Sequence, residues 1–535
     1  MDLQGSFHVY DTTLRDGAQQ EGLNLSVADK LTIARQLDDL GVGFIEGGWP
    51  GANPKDTEFF RRAATELDLR HARLAAFGAT RKAGVRAADD PQVAALRDSG
   101  TPVVTLVAKS HDRHVELALR TTLEENLAMV GDTVAHLVAE GRTVFLDAEH
   151  FFDGYRDNRA YALEVLRTAY EAGAEVAALC DTNGGMLPGW VSHVVADVLD
   201  ATGGRVGIHC HNDTGCAVAN SLAAVDAGAT HVQGTLNGYG ERTGNADLVT
   251  VVANLQLKLD RQVLPEGLLR EATRIAHAVA EVTNVPPAGR QPYVGASAFA
   301  HKAGLHASAI KVDPNLYQHL DPVEVGNDMR LLVSDMAGRA SIQLKSRELG
   351  FDLGDSDEDR ELIGRVTDRV KTLEQQGYTF EAADASFELL LVEEAEGHRP
   401  SYFEVESWRV ITESASRGSG AGEEALSEAT VKLVSSGVRF VVTGEGNGPV
   451  NALDAALRQA ISQAYPEVAK FELIDYKVRI LDAGHGTDAV TRVLIETSDG
   501  ESSWVTVGVG ANVVEASWEA LVDGLTYGLR RHHVD

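Results

Sequence analysis

Apolar and polar residues follow a recurring order along the first 285 positions. A short run rich in β-branched and aromatic residues gives way to a longer amphipathic stretch, and the cycle repeats. The short runs are Phe7–Tyr10, Phe44–Gly47, Leu74–Ala79, Val103–Ala108, Val144–Glu149, Val176–Cys180, Val206–His211 and His231–Leu236. Their length and composition predict strands, whereas Val27–Leu40 and Ala217–Ala227 carry the spacing of amphipathic helices. Eight strands, each followed by helix, predict an α/β fold, a (β/α)8 TIM barrel over residues 1–285. A doubly wound open sheet shares the alternation and is the runner-up, because alternation alone does not establish closure.

The texture changes from 286 to 397. Pro286-Pro287 breaks the preceding helix, and His and Tyr recur among apolar residues in Phe299–His306 and Asp313–Tyr317. Helical spacing returns in Arg339–Leu349 and Glu361–Gln376, so this part reads as helical connector subdomains, with Asp352–Arg360 a solvated acidic turn. Residues 398–535 contain an internal repeat: Gly444–Leu457 matches Gly508–Leu521. Each copy follows strand-like runs (Ala429–Lys432 and Arg439–Thr443; Ala489–Glu496 and Ser503–Val507) and opens a helix, which predicts a C-terminal α+β domain of tandem βββα units. Gly444-Glu445-Gly446 lacks the Lys-Ser/Thr of a phosphate loop and the spacing of a dinucleotide fingerprint, so its glycines read as tight turns before helices. Ser414–Gly422 reads as a mobile surface loop.

Composition narrows the function classes. The net charge is −31, from 48 basic and 79 acidic residues, which argues against nucleic acid or an anionic membrane as partner. No apolar run approaches the roughly 20 residues of a membrane span, and Met1–Gly5 has neither the basic nor the apolar part of a secretion signal, so a cytoplasmic location is expected. Cys180, Cys210 and Cys216 are too few and odd in number for a disulfide framework and are expected to be free thiols.

Polar residues gather where the predicted strands end. Strand one runs into Asp11-Thr12-Thr13-Leu14-Arg15-Asp16-Gly17, strand five into Asp147-Ala148-Glu149 and strand six into Asp181-Thr182-Asn183. Strand seven carries His209-Cys210-His211, and strand eight leads to Asn237-Gly238-Tyr239-Gly240-Glu241-Arg242. Barrel active sites are built at this end, from several βα loops. Alternate strand residues share a face, so His209 and His211 project together while Cys210 points away. With Asp16 they offer one oxygen and two nitrogens, a set that suits Mg²⁺, Mn²⁺, Co²⁺ or Zn²⁺ with open positions. An amide oxygen of Asn237 or Asn245 can complete it. Arg15 can stabilise an oxyanion or enolate at the mouth, pair with Glu46 or Glu149, or do both. Glu149 reads equally as a base, an orienter of one, or an ordinary ion pair. His306 and Tyr317 read as core residues unless a dimer or a fold-back carries them over the barrel mouth, where they become acid/base candidates.

Three motifs in order, Asp11–Gly17, His209-x-His211-Asn212-Asp213 and Asn237-Gly238-x-Gly240-Glu241-Arg242-x-Gly244-Asn245, resemble the acyl-CoA-condensing branch of the metal-dependent aldolase-type barrels. That branch holds the 2-isopropylmalate, homocitrate and citramalate synthases, and the resemblance extends over essentially the whole chain. Glu46–Asp56 and Gly17–Gly22 are most similar to the citramalate-synthase-like subgroup. The resemblance implies a divalent ion held by Asp16, His209 and His211, with Asn245, rather than Asn237, as a more distant ligand. It further implies that Arg15 polarises a carbonyl or stabilises an enolate, that Thr182 holds a 2-oxoacid carboxylate, and that Glu149 handles protons with His306 and Tyr317 of a partner subunit. The implied reaction joins acetyl-CoA to pyruvate, giving (R)-citramalate and CoA at the head of a threonine-independent route to isoleucine. 2-Oxoisovalerate as substrate, a homocitrate synthase and a hydroxyacyl-CoA lyase are the alternatives. A homodimer or higher homo-oligomer and a C-terminal regulatory domain that binds an amino acid, isoleucine for this subgroup, complete the expectation. One departure stands out: Asp147 occupies a position that is apolar or small in some relatives.

Overall fold

A computed structural model of the protein describes residues 6–310, 312–334, 336, 338–354, 356–413, 426–481 and 489–533. The expected loop Ser414–Gly422 lies outside them. The chain forms two compact units, residues 1–299 with 320–328, and residues 300–319 with 329–535. Among the described residues no helix is long and apolar enough to cross a membrane.

The first unit is a closed barrel of eight parallel strands in sequential order: β1 (His8–Asp11), β2 (Phe44–Gly48), β3 (Arg73–Ala79), β4 (Val103–Lys109), β5 (Thr143–Glu149), β6 (Val176–Asp181), β7 (Val206–Cys210) and β8 (His231–Gly234). Pairing of β1 with β8, His8 opposite His231, closes the ring and removes the open-sheet alternative. Helices cover the outside, so most strand residues are buried on both faces, as parallel sheets require. Tyr10, Phe44, Ala75, Val103, Phe145 and Val176 fill the interior. Helix ends follow local chemistry. Ser26 and Asp29 form a reciprocal capping box at the start of Val27–Leu40, and Gly41 ends that helix at φ 88°.

β8 stops two residues short of the predicted Leu236. Its last residue, Gly234, lies against the Ala246 carbonyl so closely that a Cβ would sit 2.6 Å away. The chain beyond β8 turns at Leu236–Gly238 and folds back over the strand ends. There Ala246 N donates to Cys210 O (2.9 Å) and Asn212 N to Gly244 O (2.9 Å).

The second unit holds β9 (Ala300–His301) paired with β10 (Arg330–Leu331), a short helix Gly304–Ile310, and helices Arg339–Glu348, Asp357–Gln375 and Asp384–Glu396. The acidic stretch expected as a turn instead opens the second of these long helices. Ser356 caps it by accepting from Asp359 N (3.1 Å), and Asp357, Glu358 and Asp359 suit the positive end of the helix dipole.

Two antiparallel sheets follow, β11 (Phe403–Glu413), β12 (Leu426–Ser435) and β13 (Val438–Gly446), then β14 (Glu472–Ile480), β15 (Thr491–Ser498) and β16 (Ser503–Gly510). Each is followed by a helix, Pro449–Ile461 and Val513–His533, which gives the tandem βββα pattern of the repeat. The repeat glycines are not turns. Gly444 and Gly446 end β13, Gly508 and Gly510 end β16, and none has a positive φ. A Cβ on Gly444 would meet Ala456 N at 2.5 Å, and one on Gly508 would meet Ala516 O at 2.0 Å. The repeated glycines exist so that each helix can lie directly on its sheet.

Candidate active site

The loop after β1 is built by its own first residues. Arg15, Asp16 and Gly17 all turn their N–H groups toward Thr12 O (3.2, 2.9 and 3.0 Å), and Thr13 donates through N and Oγ1 to Asp11 (2.8 and 2.9 Å). Burial pushes the Asp11 carboxyl up to about 7, with the Thr13 hydrogen bonds opposing. This tight loop presents Arg15 and Asp16 at the C-terminal end of the barrel.

His209 and His211 reach the same Asp16 oxygen. Their Nε2 atoms lie 3.2 and 3.3 Å from Asp16 Oδ2, and the three side chains offer ligand atoms within 4.8 Å of one another. All three are buried. Burial pushes the Asp16 carboxyl up, but the Arg15 guanidinium and the two imidazole hydrogen bonds outweigh it and hold the group well below the usual carboxylate range. Cys210, between the histidines, is buried among apolar side chains. Cys180 and Cys210 are buried, Cys216 is partly exposed, and all three are free thiols.

His211 is one residue past β7 and forms an isolated β-bridge with Asn245. The buried Asn245 donates through Nδ2 to Tyr239 O (3.0 Å), and its Oδ1 has no hydrogen-bond partner among the described residues. An orphaned amide oxygen on the residue bridged to His211 is a donor of the type a hard divalent cation takes. Asn237 is differently engaged: it occupies a left-handed turn at φ 60° and donates to Ala276 O.

Arg15 resolves between its two expected carboxylate partners. Nε donates to Glu46 Oε2 (2.6 Å), Nη1 to Asp16 Oδ1 (3.0 Å), and the guanidinium lies 3.8 Å over the Phe77 ring. Glu46 is locked in turn by Thr12 Oγ1 (2.5 Å) and Tyr10 OH (2.7 Å). Glu149 pairs with Lys109 rather than Arg15. Thr182 Oγ1 accepts from His150 N (2.8 Å), so its own proton stays available to another acceptor. Arg15, Asp16, Glu149, Thr182, His209 and His211 all line one cavity of about 650 Å³. His306 and Tyr317 do not. They belong to the second unit, where their rings stack with centroids 4.0 Å apart.

Gln233 and the role of Arg242 escaped the sequence reading. Arg242 holds Asp213 through two bonds (2.8 and 2.9 Å) and contacts His211 Nδ1 at 2.7 Å. Gln233 contacts His209 Nδ1 at 2.8 Å and donates to Asp147 Oδ1 at 2.7 Å. Burial and the neighbouring Glu46 carboxylate push Asp147 up to about 7. The available signal was phase: Gln233 is a polar residue on the same inward phase of β8 as His231.

These features define a barrel enzyme of the HMGL-like class. The HMGL-like family model matches residues 6–279, the homocitrate synthase post-HMGL domain-like model residues 293–378, and the LeuA allosteric (dimerisation) domain model residues 381–529. The (R)-citramalate synthase of Streptomyces coelicolor is 69% identical over 530 residues, covering 99% of this chain and 98% of its own. That of Synechocystis sp. is 50% identical over 534 residues (98% and 96%), and that of Aquifex aeolicus 48% over 525 residues (98% and 98%). The chain belongs to the citramalate synthase family and is a transferase of that type.

Proposed function

We propose that the protein condenses acetyl-CoA with pyruvate to give (R)-citramalate and free CoA. The observation that carries the reading is the Arg15–Asp16–His209–His211 cluster on the floor of one cavity, in a chain similar from end to end to three (R)-citramalate synthases. Asp16, His209 and His211 would hold a divalent ion, Mg²⁺, Mn²⁺, Co²⁺ or Zn²⁺, with Asn245 Oδ1 as the further oxygen. Such an ion supplies Lewis-acid polarisation of the keto group and a template for the oxoacid.

The chain's own groups do the rest. Thr182 Oγ1 donates its free proton to the oxoacid carboxylate. Glu149, with His306 and Tyr317 of a partner subunit, accepts a methyl proton from acetyl-CoA and returns one to the product. The carbanion adds to the keto carbon, and Arg15, fixed by Glu46 and Phe77, offers N–H donors to the oxygen that gains charge. Water then cleaves the thioester C–S bond, leaving a carboxylate and the CoA thiol. Lys109 pairs with Glu149 and orients that carboxylate at the cavity.

The regulatory part of the proposal rests on the C-terminal unit. A cavity of about 690 Å³ opens there beside Asn447, Asp454, Arg458 and Tyr476, with both charge signs and an aromatic ring, which suits an amino acid such as isoleucine. Tyr476, Val478 and Ile480, alternate residues of β14, are exposed apolar side chains on one strand face, suited to a second copy of the chain. We place the enzyme at the head of an isoleucine route on the same grounds, in the cytoplasm.

The test follows thiol release from acetyl-CoA with a divalent ion and pyruvate or 2-oxoisovalerate. Release with pyruvate preferred is expected. Preference for 2-oxoisovalerate would move the reading to a 2-isopropylmalate synthase, and no release with any 2-oxoacid would overturn it.

A further inference from the structure

Across the barrel interior runs a hydrogen-bonded line that the reaction above does not use. His209 of β7 and Gln233 of β8 are direct neighbours in register. Asp147 comes from β5, three strands away, and Gln233 spans the interior between them. His209 Nδ1 lies 2.8 Å from Gln233 Oε1, and Gln233 Nε2 donates to Asp147 Oδ1 at 2.7 Å. Gln233 is fully buried and Asp147 and His209 nearly so, at 0%, 3% and 5% exposure. Three polar groups at this depth are costly unless each is paired, and an aliphatic side chain of Gln's volume would fill the space without that cost. Their retention calls for a role.

The line is directional. The Gln233 amide turns its NH2 toward the Asp147 carboxyl and its carbonyl toward His209. That carbonyl can only accept, so the proton of His209 is drawn to Nδ1, and Nε2 is the nitrogen left facing Asp16, 3.2 Å away. His211 has no such line, because its Nδ1 faces the Arg242 guanidinium. The two histidines of the cluster are therefore held by opposite means, one from inside the barrel and one from its rim.

We propose that Gln233 and Asp147 are positioning residues that fix the ring and tautomer of His209, so that its Nε2 is presented to a divalent cation. This deepens the metal-centre reading and rests on it. Outer partners of this kind commonly set metal affinity within about 10–100-fold.

The test titrates Co²⁺ into the metal-free full chain, with affinity from calorimetry, coordination from visible absorption, and folding from circular dichroism. Gln233→Leu should weaken Co²⁺ binding about 10–100-fold and alter the absorption band while the chain remains folded. Asp147→Val should weaken it about tenfold, and Asp147→Asn, whose carbonyl still accepts from Gln233, should stay within about threefold of the parent. A merely structural role would lower the melting temperature without this split between Asn and Val. Unchanged affinity in folded Gln233→Leu, or equal losses in Asp147→Asn and Asp147→Val, would overturn the proposal. If Gln233→Leu does not fold, the Asp147 pair decides alone. A parent that takes up no Co²⁺ would overturn the metal-centre reading and this proposal together, whereas a parent that binds beside two unaffected variants would overturn this one only.

Discussion

The barrel and the C-terminal unit place their exceptional residues in opposite locations. In the barrel, strands buried on both faces enclose a polar interior line and a charged cluster: Tyr10, Glu46, Asp147, Gln233 and His209 are at or near zero exposure. In the C-terminal unit the antiparallel strands bury one face under a helix. β15 alternates buried and half-buried positions, while β14, at the edge, leaves Tyr476, Val478 and Ile480 exposed on the same face as the buried Ile495 and Val493. Chemistry that needs low dielectric and fixed geometry belongs inside, where hydrogen bonds are strong and unpaired groups expensive. Recognition of another molecule belongs on an open face that is still waiting for its complement.

The largest test of the contrast is Arg15→Lys. The ammonium keeps the charge but cannot hold Glu46 and Asp16 at once and lie flat over Phe77. Thiol release should fall about 10²–10³-fold with the fold retained, and a rate within about threefold of the parent would show that the buried geometry is not what the barrel is built for.

Asp523 tests the contrast from the other side, as a buried carboxyl of the C-terminal unit. Burial pushes it up to about 7, opposed by Arg399. The folded value exceeds the unfolded one, so the folded state holds the proton more tightly. The contribution of Asp523 to stability is therefore greatest below about pH 4, is lost as pH rises to about 7, and then levels off, by roughly 4 kcal/mol over the window at most. Asp523→Asn should flatten this dependence in denaturant titrations at pH 5 and pH 8. An unchanged slope would remove Asp523 as its source.

Gly508→Ala should cost about 1–3 kcal/mol, because its Cβ would press on the backbone of the following helix. A neutral outcome would mean that helix and sheet are not tightly joined. Val478→Asp should raise the dissociation constant of a dimer about tenfold in sedimentation experiments, since one desolvated carboxylate opposes one buried aliphatic chain. Unchanged assembly would leave the β14 face without the role proposed for it.

The fold was largely legible in the sequence because its signals are local. Eight β-rich runs separated by amphipathic helices mark a barrel, and two matching segments mark a repeat. Strand ends were harder: the end of β8 is set by contact between Gly234 and Ala246, which no local pattern reveals. The charged part of the candidate site could be read from residue type, since Asp16, His209 and His211 stand out at strand ends. Gln233 could not, because a lone amide in a short apolar strand acquires meaning only from Asp147 and His209 on other strands. The repeat glycines were visible but carried the wrong explanation, as a close helix and a tight turn favour the same residue. The acidic stretch Asp352–Arg360 was misjudged from Asp357 onward because capping chemistry resembles turn chemistry: both use Ser and Asp.

The contact between β1 and β8 has a consequence for how the enzyme is made. Asp16 leaves the ribosome early, whereas His209, His211 and Asn245 follow almost the whole barrel later. Until β8 emerges, β1 has only one neighbour and the residues of the candidate site are on separate stretches of unfinished sheet. Long-range parallel pairing is slow to form, and partly built sheets expose unpaired edges. An immature chain therefore cannot assemble the Asp16–His209–His211 cluster, which comes together only with ring closure.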